Sequence, residues 1–421
     1  MLNLIMKDVL GTPAILVGLF ALLGLVLQKK GLTEVVSGTL KTIMGFIILG
    51  VGANVLVGTL NSFGAMFEHA FHIKGIIPNN EVVVAIAQKA FGKTTAMIML
   101  LGMLVNILIA RFTRFKYIFL TGHHTMYMAC MLAVILATFG IGEIQTILIG
   151  AVILGVVMAL FPAMLQPFTK KITDSDDFAL GHFNSIGYLA SALVGKYLGN
   201  SEKTTEELKV PKSLGFLRDS SVSLAITMTI LFVVVGSYAG SNFVETKLSD
   251  GQNFVVYAFM QAIAFAGGVY VILAGVRMLL AEIVPAFKGI ADKIVPNAIP
   301  ALDCPIVFPF APNAVIIGFF SSFIAGLVCM FIFPQFGWLV IVPGLVPHFF
   351  DGATAGVYGN ATGGRRGAVL GAFVNGIIIS LLPALLFLIL GGMGFQGSTF
   401  GDSDFGFIGV ILGKLGGLIF H

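Results

Sequence analysis

Three short stretches carry side chains that could do chemistry: "LTGHHTMYM" at 120–128, "ALGHFNS" at 179–185 and "ALDCPIVFPFAPNAV" at 301–315. Histidine and aspartate give or take protons near neutral pH and hydrogen-bond to substrate hydroxyls. Asp303 is the only charged side chain between Lys293 and His348. A carboxylate in such apolar surroundings marks a functional site, or else caps a short helix through its oxygen atoms. His123 and His124 differ by about 100° around a helix, so both cannot face one cavity. Spacing groups His123 with Tyr127 and Cys130, and His124 with Met128. His123 is therefore expected to face a ligand, with Gly122 permitting close approach, and His124 to be a packing partner. The alternative is a histidine bonded to a neighbouring helix carbonyl. His182 is either a ligand or a backbone-bonded interfacial histidine. His348 and Asp351, in "VPHFFDGATAG", take second rank, and Glu81 mirrors Asp303 loosely, with a water-facing charge as its alternative.

The elements that position these residues must lie in a membrane. With 57% hydrophobic and only 10% charged residues, and a mean hydropathy of +1.00, the chain cannot cover a water-facing surface. Apolar segments of spanning length recur at about 12–28, 42–60, 95–110, 117–139, 143–165, 221–240, 254–284, 313–333, 338–358, 367–392 and 405–420. The sequence thus predicts one all-α polytopic domain over 1–421 with about eleven crossings. The first segment reads as a retained helix rather than a signal peptide. Placing Lys29, Lys30 and Lys41 in the cytoplasm brings Arg111, Arg114, Lys116, Lys170, Lys171, Arg365 and Arg366 to the same side, with the amino terminus outside. The polar stretch 166–219 is then cytoplasmic, and its part 178–198 dips into or lies on the bilayer.

Prolines at 296, 300, 305, 309 and 312 are too dense for a regular helix. Irregular backbone at membrane depth requires a protein-lined or wet cavity. Residues 295–312 are expected to form a re-entrant hairpin, with 79–94 as its partner. Setting Pro78 on Pro296 aligns the two halves, approximately 12–165 and 221–392, as inverted repeats with a midplane site between them. Cys130, Cys304 and Cys329 have no metal-binding spacing and read as small buried hydrophobes. No metal, cofactor or nucleic acid is implied. There is no phosphate-binding "GxxxxGK[ST]" motif, no arginine-rich voltage sensor, and no polar loop long enough for a soluble enzyme domain.

Together "FLTGHH", "GHFNS", "GVRMLLAEIVPAFKGI" and "VPNAIPALDCPIVFPFAPNAVIIGF" resemble one family. It is the membrane component, enzyme IIC, of the bacterial phosphoenolpyruvate-dependent sugar phosphotransferase system, in its ascorbate-type branch and more distantly its galactitol-type branch. The resemblance implies an eleven-span homodimer in the bacterial inner membrane, with an elevator-type core moving against a dimerisation scaffold. It also implies that an imported substrate is phosphorylated by a phosphocysteine on a separate enzyme IIB. This chain would be the transport subunit. Carried onto this sequence, the pocket would comprise Asn80, Glu81, His123, Tyr127, His182, Phe183 and Asp303, with Asp303 or a neighbouring histidine accepting the substrate's proton. The ascorbate branch typically carries glutamine where Tyr127 and Phe183 stand here. The expected substrate is L-ascorbate or a related polyol. The rival expectation is an H⁺- or Na⁺-coupled elevator-type transporter of a small polar or anionic substrate.

Overall fold

The computed structural model describes residues 13–72, 75–208, 220–390 and 398–419. In chain order the elements are α1 (Pro13–Leu27), α2 (Leu32–Phe71), β1 (Ile77–Pro78), α3 (Asn80–Phe112), β2 (Tyr117–Phe119), α4 (Gly122–Ala137), α5 (Glu143–Thr173), β3 (Ala179–Leu180) and α6 (Ser185–Leu198). Then come α7 (Ser220–Ala239), α8 (Ser241–Lys247), α9 (Phe254–Ile294), β4 (Ile299–Leu302), α10 (Pro312–Ile332), α11 (Leu345–Leu390), β5 (Ser398–Thr399) and α12 (Ser403–Ile419).

Among the described residues six helices are long and apolar enough to cross a membrane, or seven if α7 and α8, bent by 100°, form one span. The outward faces confirm their solvent. On α2 the residues Val36, Leu40, Met44, Ile47, Val51 and Val55 are all exposed at helical spacing, an apolar stripe that water would penalise and lipid would not. The chain is a multi-pass membrane protein.

Three of the eleven expected crossings fall on α1, α4 and α12, which have 15, 16 and 17 residues among those described. Each is shorter than the roughly 20 residues a full span requires. The stretch expected as a span at 117–139 opens as a strand, because Tyr117-Ile118-Phe119 is β-prone and pairs with a neighbour. The helix that follows, α4, is apolar on all sides and has fourteen of its sixteen residues buried, so it is a core element rather than a lipid-facing one. The described helical parts of segments 338–358 and 367–392, which begin at Leu345 and end at Leu390, are the two arms of α11, divided where Gly363 and Gly364 leave helical geometry. At Gly364, φ is +59° and the Asn200 and Lys203 carbonyls occupy the place of a Cβ, so glycine is required there.

The proline-dense segment forms no α-helix: β4 is followed by a 3₁₀ stretch, Cys304–Phe310, before Pro312 opens α10. Its expected partner at 79–94 is not a hairpin, because the chain turns from β1 straight into α3, continuous from Asn80 to Phe112. No proline or glycine interrupts the run 80–91, so nothing in it opposes a helix. Packing divides the helices: α2 lies chiefly on α9 and α1, and α7 on α9, whereas α10 lies on α11, α11 on α6, and α3 on α5. The second group surrounds the polar residues.

Candidate functional site

Two small parallel sheets deliver the chemistry. In the first the strand order is β2-β4-β3, with Phe119 opposite Ala301 and Leu180 opposite Leu302. Parallel strands in this register end at one level, so the residues just beyond them converge. They are His123 and His124 after β2, His182 after β3, and Asp303 after β4. The backbone continues the pairing, since Gly181 N–H donates to the Leu302 carbonyl at 2.7 Å. A Cβ on Gly181 would meet the Ala301 carbonyl oxygen at 2.7 Å, so the glycine before His182 lets the strand sit this close. In the second sheet β1 pairs with β5, and Ile76 bridges to Ile341. Its ends deliver Asn80 and Asp402.

His182 stands at the centre. Its Nδ1 is 2.8 Å from Asp303 Oδ1, and its Nε2 is 2.9 Å from Asp351 Oδ1. The Tyr188 hydroxyl donates to the same Asp351 oxygen at 3.0 Å, and Cys304 N–H donates to Asp303 Oδ1 at 2.8 Å. The other Asp303 oxygen lies 3.6 Å from His123 Nε2. The second sheet closes the back: Asn80 Nδ2 donates to both Asp402 oxygens at 3.0 Å, and Gly401 N–H donates to Asn80 Oδ1 at 2.8 Å. Asp402 Oδ2 is 3.6 Å from His124 Nδ1 and 4.0 Å from His182 Nε2.

Access is graded. The side chains of Asp303 and His123 are 18% and 12% exposed, against 6% or less for His182, His124, Asp402 and Asp351. His123 Nδ1 is buried without a hydrogen-bond partner among the described residues, a state that a polar ligand would relieve. The amino-terminal ends of α3, α4, α6 and α12 all begin within a few residues of the cluster, and helix amino termini favour negatively charged groups. His124, His182 and Asp402 each bring one atom within 4.8 Å of the others. His123, His124 and Asp303 do the same, and both nitrogens of His182 are hydrogen-bonded to carboxylates, which ties these groups into one network.

The structure brings Asn80, His123, His182 and Asp303 together. Tyr127 is fully buried and presents its ring edge-on to His123, centroids 5.7 Å apart, as a wall of the site. Phe183 is also fully buried and stacks on Phe119 at 4.8 Å; its ring belongs to the core. The side chain of Glu81 lies outside the described residues. His124, expected as a packing residue, belongs to the network and accepts the Phe183 N–H at 3.3 Å. The two histidines are both engaged because the site surrounds the start of α4 rather than lying along one face. Of the second-rank pair, Asp351 is central, whereas His348 bonds to Ser322 Oγ at 2.9 Å, away from it. Asp402 went unmarked in the sequence. Its signal was a repeated pattern, "LGHFN" after β3 and "FGDSD" after β5, each a glycine followed by a polar residue at a strand end.

Residues 8–404 match the family of sugar-specific permease components of the PTS system. The chain belongs to that family. A curated relative, the ascorbate-specific PTS system EIIC component of Mycoplasma pneumoniae, is 27% identical over 419 residues, covering 87% of this chain. The chain spans 63% of that relative's length. Within a permease, a carboxylate held by one histidine and approached by another is suited to gripping a hydroxyl group.

Proposed function

We propose that this permease imports a small polyhydroxylated substrate, L-ascorbate fitting best, and presents it to a separate phosphorylated enzyme IIB. The observation that carries the reading is the state of Asp303. One of its oxygens is fixed by His182 and the Cys304 N–H, while the other faces His123 at the more accessible edge. That second oxygen is the proton acceptor for the attacking hydroxyl, with His123 Nδ1 and the nearby helix amino termini holding substrate oxygens. Phosphoryl transfer depends mainly on such alignment and charge.

The transport step is read as an elevator-type movement of a core against a scaffold in a homodimer of the bacterial cell membrane, the amino terminus outside and 166–219 cytoplasmic. Exchange of strands between halves supports an inverted repeat. β4 of the second half lies between β2 of the first and β3, which follows the first, and 76–78 of the first half lies between Ile341 of the second and β5, which follows the second. Matching β1 with β4 sets Pro78 on Pro300 rather than on Pro296, and so sets Glu81 opposite Asp303.

The reading is tested by supplying labelled ascorbate to membrane vesicles with and without enzyme IIB and its phosphoryl donors. Product inside should be phosphorylated and should depend on enzyme IIB. Free ascorbate accumulated on an H⁺ or Na⁺ gradient alone would replace this reading with secondary transport.

A further inference from the structure

Asp351 lies on α11 with no exposure to solvent, and it touches no surface that a substrate could reach. Its Oδ1 nevertheless meets His182 Nε2 at 2.9 Å, while His182 Nδ1 meets Asp303 Oδ1 at 2.8 Å. Each of these contacts needs one proton. Asp351 Oδ1 already accepts from the Tyr188 hydroxyl at 3.0 Å, and Asp303 Oδ1 already accepts from Cys304 N–H at 2.8 Å. With both carboxylates ionised, each of these oxygens is an acceptor only, and the protons of the two contacts then sit on the ring, one on each nitrogen.

We propose that Asp351 is a positioning residue for phosphoryl transfer. Backed by Tyr188, it holds His182 as an imidazolium whose Nδ1–H fixes Asp303 and leaves Asp303 Oδ2 ionised toward the substrate. This rests on the phosphorylating reading of the site. As the substrate hydroxyl attacks, its oxygen bonds to phosphorus and the phosphorus–sulfur bond of the enzyme IIB phosphocysteine breaks. The sulfur leaves with the electron pair, and the hydroxyl proton passes to Asp303 Oδ2. His182 keeps both protons throughout, so it orients and balances charge rather than acting as the base.

Other groups face His182 as well. Asp402 Oδ2 is 4.0 Å from Nε2 and adds to the field favouring the cation. The His124 ring, with its centroid 3.8 Å away, opposes a second positive charge and stays neutral beside it. Cys304 follows Asp303 and is buried. Loss of Asp351's charge would therefore let His182 lose a proton at lower pH, and the alkaline limb of the rate profile would move down.

The experiment uses the full chain, reconstituted with enzyme IIB and labelled ascorbate. Asp351→Asn should lower phosphorylated product about 10- to 100-fold at pH 8 and much less at pH 6. Equilibrium binding of ascorbate without enzyme IIB should change less than about threefold. Asp351→Glu should restore part of the alkaline limb, and Tyr188→Phe should shift it in the same direction by less. Ring ¹⁵N signals of His182 should read as doubly protonated in the wild type and as neutral imidazole in Asp351→Asn at pH 7.5. A folded Asp351→Asn protein with an unshifted alkaline limb would overturn the inference. If that variant does not fold, an unshifted limb in Tyr188→Phe does the same. Should the wild type form no phosphorylated product, the phosphorylating reading fails, and the ¹⁵N signals still decide whether Asp351 holds an imidazolium.

Discussion

The ends of the two small sheets meet in one site but are built differently. The β2-β4-β3 end supplies three histidines and one carboxylate, and its outermost pair, His123 and Asp303, is the part most open to approach. The β1-β5 end supplies Asn80, Asp402 and Asp404, all buried and each bonded to backbone or side-chain donors. A carboxylate with a partly open coordination shell is available to a substrate, whereas one saturated by donors holds elements together. The same residue type therefore has two jobs here, separated by the donors around it. Asp303 should matter for chemistry, and Asp402 and Asp404 for folding.

The largest effect separates the two ends outright. Asp303→Asn keeps the shape but cannot take the hydroxyl proton, so enzyme IIB-dependent product should fall by about 10²- to 10⁴-fold, while the protein's thermal midpoint in detergent stays near that of the wild type. Full product formation by this variant would remove Asp303 from the proton-accepting role. Asp402→Ala should show the reverse emphasis. It leaves the Asn80 amide without the acceptor it meets at 3.0 Å, and an unsatisfied buried donor costs about 1–3 kcal/mol. Thermal unfolding of the purified protein should report that loss. A stable but inactive Asp402→Ala protein would break the division and make the second sheet end part of the chemistry.

This division was only half legible in the sequence. Asp303 stood out because prolines on both sides forbid a helix and no other charge lies nearby, so both its setting and its importance followed from local rules. Most helices were likewise legible, being apolar runs bounded by turns. What misled was length. Apolar content marks α4 as a span, yet it is a 16-residue buried helix whose hydrophobicity serves the core. The internal likeness that sets Pro78 on Pro296 points to a hairpin at 79–94, yet nothing in the run 80–91 opposes a helix, and α3 is continuous there. His124 and Asp402 were missed for a common reason: their neighbours come from sheet pairings between distant segments, and helical spacing alone is blind to those. Asp351 lay in an apolar run, visible as a charge but with its partner, His182, far away in sequence.

The smallest expected effect tests the finest part of the contrast, the crossed caps of α6 and α12. Asp404 accepts the Ser185 N–H at 2.8 Å and the Ile186 N–H at 2.9 Å, closing the amino terminus of α6. In return, Asn184 Oδ1 accepts the Ser403 N–H at 2.9 Å at the start of α12. Each strand-to-helix turn thus caps the other's helix, and the pair ties the His182 turn to the Asp402 turn. Removing a cap of this kind costs about 0.5–2 kcal/mol. Asp404→Ala should therefore lower the thermal midpoint modestly, less than Asp402→Ala, and Asp404→Asn, which retains an acceptor oxygen, less again. Because the cap adjoins His182 without touching the accessible edge, substrate binding should weaken only as far as the His182 turn loosens. A binding loss as large as that of Asp303→Asn would mean that the saturated carboxylates are not merely structural. Unchanged stability would mean that the α6 amino terminus needs no cap from α12, and the two sheet ends would then be joined by the His124, His182 and Asn184 contacts.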